Sequence, residues 1–326
     1  MRIAIIGLGM IGKLHARILI ERRLNICAIC DLDTDKAEAY AIAQGLPIPI
    51  FFDWEKMLDE IKPDAVHICT PHYLHAEMIV GCLQRNIHVL CEKPMCIHEE
   101  DISRIMKAEK SSMAILGVCH QNRYNNVNVF LKKYLTNKGI LSAHGTVVWK
   151  RDEQYYGQAD WRGKWQTEGG GALINQALHT LDLMQWLCGE PKTLKARIEN
   201  FSLSDVIEVE DSAMLLCEGA QRFTFYATNA GGCDMATEIR LKLKSGENIV
   251  AFPNSLWIND KIVSTEDMEV VLGKCCYGNG HEKLIADFYE CIETGRAFSI
   301  DCEEAAKVIR MILAAYASNG DMIAIG

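Results

Sequence analysis

No stretch of this chain stays apolar long enough to cross a membrane, since its longest apolar runs fall well short of the ~20 residues a spanning helix needs. Proline is scarce, with 7 residues in 326, and there is no low-complexity linker and no internal repeat, so a disordered or repetitive architecture is excluded. Basic charge is not in excess either. With 34 Lys and Arg against 43 Asp and Glu, the formal net charge is -9, and a nucleic-acid surface is not expected. Met1 runs almost at once into a strand, so no secretory leader is expected and the cytoplasm is the expected compartment. The 14 cysteines lack the short, loop-rich spacing of a secreted disulfide scaffold. Cys27 and Cys30 have CxxC spacing but fall inside an expected strand. There, residues three apart point to opposite faces, so neither zinc nor a disulfide is expected. Adjacent Cys275 and Cys276 remain the one oddity, and most of the cysteines read as small core residues.

What is present begins at the first residues. An apolar run of strand length, Arg2 to Ile6, feeds directly into Gly7-Leu8-Gly9-Met10-Ile11-Gly12, and helix-forming sequence follows from Lys13 to Glu21. This is G-x-G-x-x-G in the setting a dinucleotide fold requires. Gly7 permits the tight turn, Gly9 lets the backbone approach a pyrophosphate, and Gly12 allows close packing of helix on strand. Met10 and Ile11 then open the helix, whose N-terminal amides suit phosphates. A second strand, Asn25 to Cys30, ends in Asp31, 19 residues after Gly12, where a carboxylate can accept from ribose hydroxyls. Alternation continues with strands expected near 48–51, 65–70, 87–91 and 114–119, and helices between them. The pattern predicts a doubly wound parallel sheet over residues 1–120, with its ligand crevice at the carboxyl ends of the strands. Gly9, Asp31, Thr70, Glu92, Lys93 and Gln121 fall at or just beyond such ends.

Beyond residue 120 the texture changes. A helix, a strand and a loop rich in Tyr and Trp lead to Glu168-Gly169-Gly170-Gly171 and a long helical segment over 172–188. Alternating strands follow, with a hairpin turn at Ser245-Gly246-Glu247-Asn248, and the chain ends in helices over 281–317. Residues 121–326 are therefore expected to form an α+β domain with a largely antiparallel open sheet of four to six strands.

Two features carry chemistry. Lys93 lies in Cys91-Glu92-Lys93-Pro94-Met95, just past the fifth strand and beside the place a nicotinamide would occupy; the alternative is a solvated turn lysine. In the 172–188 helix, Asn175 and His179 are i, i+4 and His179 and Asp182 are i, i+3, so the three are expected on one face. The rest of that helix is apolar nearly all round, which predicts burial with the polar stripe turned to a cavity. Histidine suits proton transfer because it ionises near neutrality, although a hydrogen-bonded core histidine is the competing reading.

Taken together, the N-terminal glycine loop, Thr70-Pro71 with His75, Glu92-Lys93-Pro94 and the Gly-rich His179 helix resemble the glucose–fructose oxidoreductase/inositol 2-dehydrogenase (Gfo/Idh/MocA) family. The resemblance runs along the whole chain to Gly295-Arg296-Ala297-Phe298. It implies an NAD(P)-dependent oxidoreductase of sugars, cyclitols or their derivatives, with a Rossmann domain and a C-terminal domain that commonly forms dimers or tetramers. It makes Lys93 and His179 catalytic, with Asn175 a third catalytic candidate, and puts Thr70, Pro71, His75, Glu92, Lys93, Gln121, Trp161 and Arg162 among the cofactor contacts. Arg123, Asn175 and His179 become candidates for substrate hydroxyls. Many members carry Asp four residues before the histidine where this chain has Asn175, so an Asp–His relay is in doubt unless Asp182 substitutes. The expected cofactor is NAD, because Asp31 repels a 2′-phosphate, and the expected substrate is a small sugar or cyclitol oxidised at a secondary hydroxyl. A redox-neutral, glycosidase-like enzyme holding NAD permanently and a non-enzymatic NAD-binding sensor are the alternatives. The aromatic loop over 155–165 either lines a sugar pocket or packs on the second domain.

Overall fold

In the computed structural model, residues 1–265 and 279–325 are described. Cys275 and Cys276 lie outside them. The chain divides into two compact units, the first comprising Met1–Cys96, Glu100–Cys119 and Leu284–Ala305, the second Ile97–Glu99, His120–Lys283 and Ala306–Gly326. Among the described residues no helix is long and apolar enough to cross a membrane.

The first unit is built on β1 (Arg2–Ile6), α1 (Met10–Glu21), β2 (Asn25–Cys30), α2 (Thr34–Ala43), β3 (Ile50–Phe51), α3 (Trp54–Ile61), β4 (Ala65–Ile68), α4 (His75–Gln84), β5 (His88–Cys91), α5 (Glu99–Lys110) and β6 (Leu116–Val118). The six strands form one parallel sheet in the order β3-β2-β1-β4-β5-β6. Reversal of direction beside β1 puts the switch point between β1 and β4, where such sheets hold their ligands. The central strands are buried along nearly their whole length, as strands covered on both faces must be. Asp33 and Asp53 cap α2 and α3 by accepting from amides of the first turn. Cys27 and Cys30 on β2 are free thiols, and burial pushes Cys30 up to about 12. Phe288 and Phe298 pack against Gly117 of β6, where a Cβ would meet either ring at 2.9 Å.

The second unit carries α6 (Asn126–Tyr134), β7 (Ile140–Val148), α7 (Glu153–Tyr156), a π-helical turn (Ala172–Ala177), α8 (Leu178–Cys188), β8 (Pro191–Glu199), β9 (Ser212–Gly219), β10 (Arg222–Thr228), β11 (Glu238–Leu243), β12 (Asn248–Phe252), β13 (Ser255–Ile258) and β14 (Lys261–Thr265). The chain ends with α9 (Gly280–Thr294), α10 (Cys302–Ser318) and β15 (Met322–Ala324). Nine strands form one mixed sheet, β14-β13-β12-β11-β7-β10-β9-β8-β15, in which only the β7–β10 pair is parallel. The sheet is larger than the four to six strands expected, because β13, β14 and β15 are short, and β15 joins the edge of β8 from the far end of the chain. Alternating burial along β8 to β11 leaves one face inward, where Met184 of α8 meets Gly145 of β7.

Candidate active site

In the first unit the glycine turn is shaped by backbone contact. Gly7 has φ +88°, and a Cβ there would lie 2.7 Å from the Cys69 carbonyl oxygen; a Cβ on Gly12 would lie 1.9 Å from that of Gly7. Neither position admits a side chain. Gly9 is the opposite case, with nothing within 4 Å of an added Cβ, so backbone and open space adjoin there. Helix α1, which begins at Met10 and Ile11, has no side-chain cap and no acidic residue in its first turn. Its amides and positive dipole end therefore remain available to an anion. Asp31 accepts from Leu8 N–H at 2.6 Å with one oxygen and from Asp33 N–H at 2.8 Å with the other. Those bonds hold the carboxylate beside the turn and use two of its roughly four lone-pair sites, leaving capacity for ribose hydroxyls.

Around Lys93 the burial pattern is selective. Every residue from Val89 to Cys96 is buried except Lys93, which is half-exposed. The Lys93–Pro94 peptide is cis. Glu92 accepts from Lys93 N–H at 3.2 Å and lies 3.1 Å from His15 Nε2 on α1. His15 in turn meets His67 of β4 at 2.8 Å, and His67 Nε2 meets the Tyr289 hydroxyl at 2.7 Å. Burial opposes charge on His15, but Cys69 and the Glu92 carboxylate outweigh it and raise His15 to about 9. His67 is pushed well down by burial and by the neighbouring His15 charge. The consistent assignment is a charged His15 donating to both Glu92 and a neutral His67. Thr70 and Pro71 follow β4. His75 sits with its ring nitrogens 2.8 Å from Thr70 O and 2.7 Å from Pro94 O, tying the two loops together.

The second unit presents His179. From Glu168 to Cys188 only Asn175, His179 and Trp186 escape full burial. Asn175 lies in the π turn and His179 in the first turn of α8, so the segment is not the uniform α-helix expected. π turns recur at functional positions in helices. Gln121 Nε2 lies 3.2 Å from His179 Nε2; with the amide donating, Nε2 is the imidazole's accepting nitrogen. His179 lines a small cleft with Gln121, Asn122, Trp149, Gln176 and Thr237.

Asp182 is not on that exposed face. It is buried and receives both Nε (2.8 Å) and Nη2 (2.6 Å) of Arg123, with His120 Nδ1 at 3.6 Å. Burial opposes its charge, but His120 and Arg123 outweigh it and hold the carboxyl below its usual range. Arg123, read from sequence as a substrate contact, gives two of its five N–H donors to Asp182, which makes no contact with His179 among these bonds. Trp161 and Arg162 sit in the aromatic loop. Arg162 donates to the Tyr155 carbonyl at 3.1 Å and stacks 4.4 Å from the Tyr155 ring centre. Tyr156 packs with Ile207 and Val209, so this part of the loop is core.

Four polar residues that received no role from sequence are buried here. Gln176 and Asn229 bond to each other at 2.9 Å and to the hydroxyls of Tyr155 and Tyr156. Glu210 accepts from Gly171 N–H (2.8 Å), Leu173 N–H (2.9 Å) and Tyr316 Oη (3.1 Å), capping the π turn. Burial pushes Glu210 up to about 7 against the pull of those donors. Glu168 accepts from Gly163 N–H at 2.5 Å and from the Asn175 side chain. The one available signal was an acidic residue set against three glycines before an apolar helix.

A doubly wound sheet with an uncapped helix at its glycine turn and a carboxylate closing its second strand defines a dinucleotide-binding protein. Residues 1–120 match the oxidoreductase family with NAD-binding Rossmann fold, and residues 139–243 match the GFO/IDH/MocA C-terminal domain. The chain belongs to the Gfo/Idh/MocA oxidoreductase family, and its first unit is an NAD-binding Rossmann domain. It is 29% identical over 205 residues to D-glucoside 3-dehydrogenase of Escherichia coli, covering 62% of this chain and 58% of that protein. To myo-inositol 2-dehydrogenase of Thermotoga maritima it is 27% identical over 192 residues, covering 58% and 55%. These matches span little more than half the length of the two relatives. In structure it is similar to the WlbA dehydrogenase of Bordetella pertussis, solved with NADH and UDP-GlcNAcA, with a TM-score of 0.85 and 25% identity over 100% of this chain and 98% of that one.

Proposed function

We propose that this protein is an NAD-dependent dehydrogenase oxidising a secondary hydroxyl of a sugar, sugar derivative or cyclitol, acting in the cytoplasm as a homodimer or homotetramer. One observation carries the reading: each unit buries a chemistry-bearing segment almost completely and leaves the reactive side chain partly exposed, Lys93 in one and Asn175 with His179 in the other. A satisfied core histidine gives no reason for His179 to stay open to solvent in so buried a segment. The relatives named above, dehydrogenases of a glucoside and of inositol, support the substrate class.

Bound NAD supplies the hydride acceptor, held by the glycine turn, the α1 amides and Asp31. Lys93 stabilises negative charge developing on the substrate oxygen, an effect strengthened by the buried walls around it. His179 accepts the hydroxyl proton at Nε2, whose single lone pair the substrate hydroxyl takes over from the Gln121 amide on binding. Asn175 hydrogen-bonds a substrate hydroxyl. Arg123 and Asp182 act behind them as a buried pair that fixes α8.

The test is NADH formation over a panel of sugars, glycosides and cyclitols with wild type, Lys93→Met and His179→Ala. Wild type should accumulate NADH, and both variants should lose two or more orders of magnitude in kcat while binding NADH as wild type does. Oxidation with no net NADH would point to the redox-neutral alternative. Near-normal turnover in His179→Ala would assign proton abstraction elsewhere.

A further inference from the structure

Glu168 is fully buried, and a carboxylate in such a place needs donors around it. It has the Gly163 amide and the Asn175 side-chain amide. The first donor is rigidly placed. Gly163 has φ +74°, a Cβ there would meet Ile207 Cγ2 at 2.6 Å, and the loop closes on itself through Thr167 Oγ1 to Trp161 O at 2.7 Å and Glu168 N to Lys164 O at 2.9 Å. The same carboxylate therefore joins the loop carrying Trp161 and Arg162 to the π turn carrying Asn175.

A primary amide has a donor end and an acceptor end, and an ionised carboxylate can only accept. Glu168 thus draws the Asn175 NH2 group toward itself and turns Oδ1 the other way. Asn175 is one of the two partly exposed residues in the Glu168–Gln185 stretch, the other being His179. Taking the dehydrogenase reading as its basis, we infer that Glu168 is a positioning residue that fixes the Asn175 amide as a hydrogen-bond acceptor for a substrate hydroxyl. Through Glu168 an asparagine offers the substrate what a carboxylate at that position would offer.

The chemistry predicts a reciprocal pattern of variants. In Glu168→Gln the introduced amide keeps its oxygen on Gly163 N–H and points its NH2 at Asn175. Asn175 then reverses and shows the substrate a donor. KM for the polyol should rise at least about tenfold, the loss expected for one misdirected hydrogen bond, with NADH affinity unchanged. Adding Asn175→Asp supplies an oxygen for the introduced NH2 and a second oxygen for the substrate, so the double variant should return to within about threefold of wild type. Asn175→Asp alone sets two carboxylates against each other; its KM should be high at alkaline pH and fall several-fold as the pair takes up a shared proton.

The cycle is to be read in KM and, without substrate, in melting temperature, where both single changes should lower the midpoint and the double should recover it. Unchanged KM in Glu168→Gln overturns the inference, as does a double variant no better than Glu168→Gln. Should Glu168→Gln not fold, the pH profile of Asn175→Asp decides, and a pH-independent KM refutes. A wild type that oxidises no polyol refutes the dehydrogenase reading itself. A stability cycle that closes with no counterpart in KM refutes only the substrate-facing role of Asn175.

Discussion

Glu210→Gln should change how stability depends on pH. In the unfolded chain this carboxyl titrates at about 4.3, whereas in the folded protein burial raises it to about 7. Below the unfolded value both states hold the proton and Glu210 adds no slope. Between the two values the folded state retains a proton that the unfolded chain has released, so stability falls as pH rises. Above the folded value the loss is complete, and at ~1.4 kcal/mol per pH unit the gap amounts to about 4 kcal/mol. Glutamine carries no charge at any pH but has one accepting oxygen where Glu210 uses two. It can keep Leu173 N–H and Tyr316 Oη, but then sets its own NH2 against Gly171 N–H, at a cost of about 1–2 kcal/mol. Wild type should therefore be the more stable protein near pH 4.5 and the less stable one near pH 8, with a crossover between them. Urea denaturation of both proteins across that range, taken as a difference so that other titrating groups cancel, reads this directly. A difference constant to within ~0.5 kcal/mol would refute the reasoning.

Asp31→Ala should weaken NAD binding by about tenfold or more, since ribose hydroxyls and Leu8 N–H lose the same acceptor, and should narrow the preference over NADP. Fluorescence titration checks both; equal or tighter NADPH binding by wild type would refute the role given to Asp31. The outward face of the second sheet exposes Leu141, Met214 and Leu216 between polar residues, and we expect it to pair with a second copy. A mass measurement in dilute solution should return a dimer or tetramer, and a monomer would count against it.

The first unit was legible because its signals are local. The glycine loop, the strand-terminal Asp31 and the alternation of apolar runs with helical segments each lie within about 30 residues. The second unit resisted for the converse reason. Asp182 was expected on the face of His179, but its partner Arg123 is 59 residues away and no periodicity reveals it. The π turn depends on Glu210, 39 residues beyond the Gly171 amide it receives. The short strands β13 to β15 have too few residues for alternation to register. Glu168 stood in plain sight beside the glycines, yet its partner was legible only once Asn175 was known to turn back toward it.

The π turn also limits how this protein can change. Removing one residue from 172–177 would give an ordinary α-helix that fits the local composition well. The same deletion would swing everything before it by about 100° around the helix axis relative to His179. Asn175 would leave the exposed face, and Glu168 would lose its hold on it. Point substitutions can tune the polar pair, whereas insertions and deletions here would be all-or-nothing. Among descendants of this sequence, segment length over 168–179 should be a stricter constraint than residue identity at most positions within it.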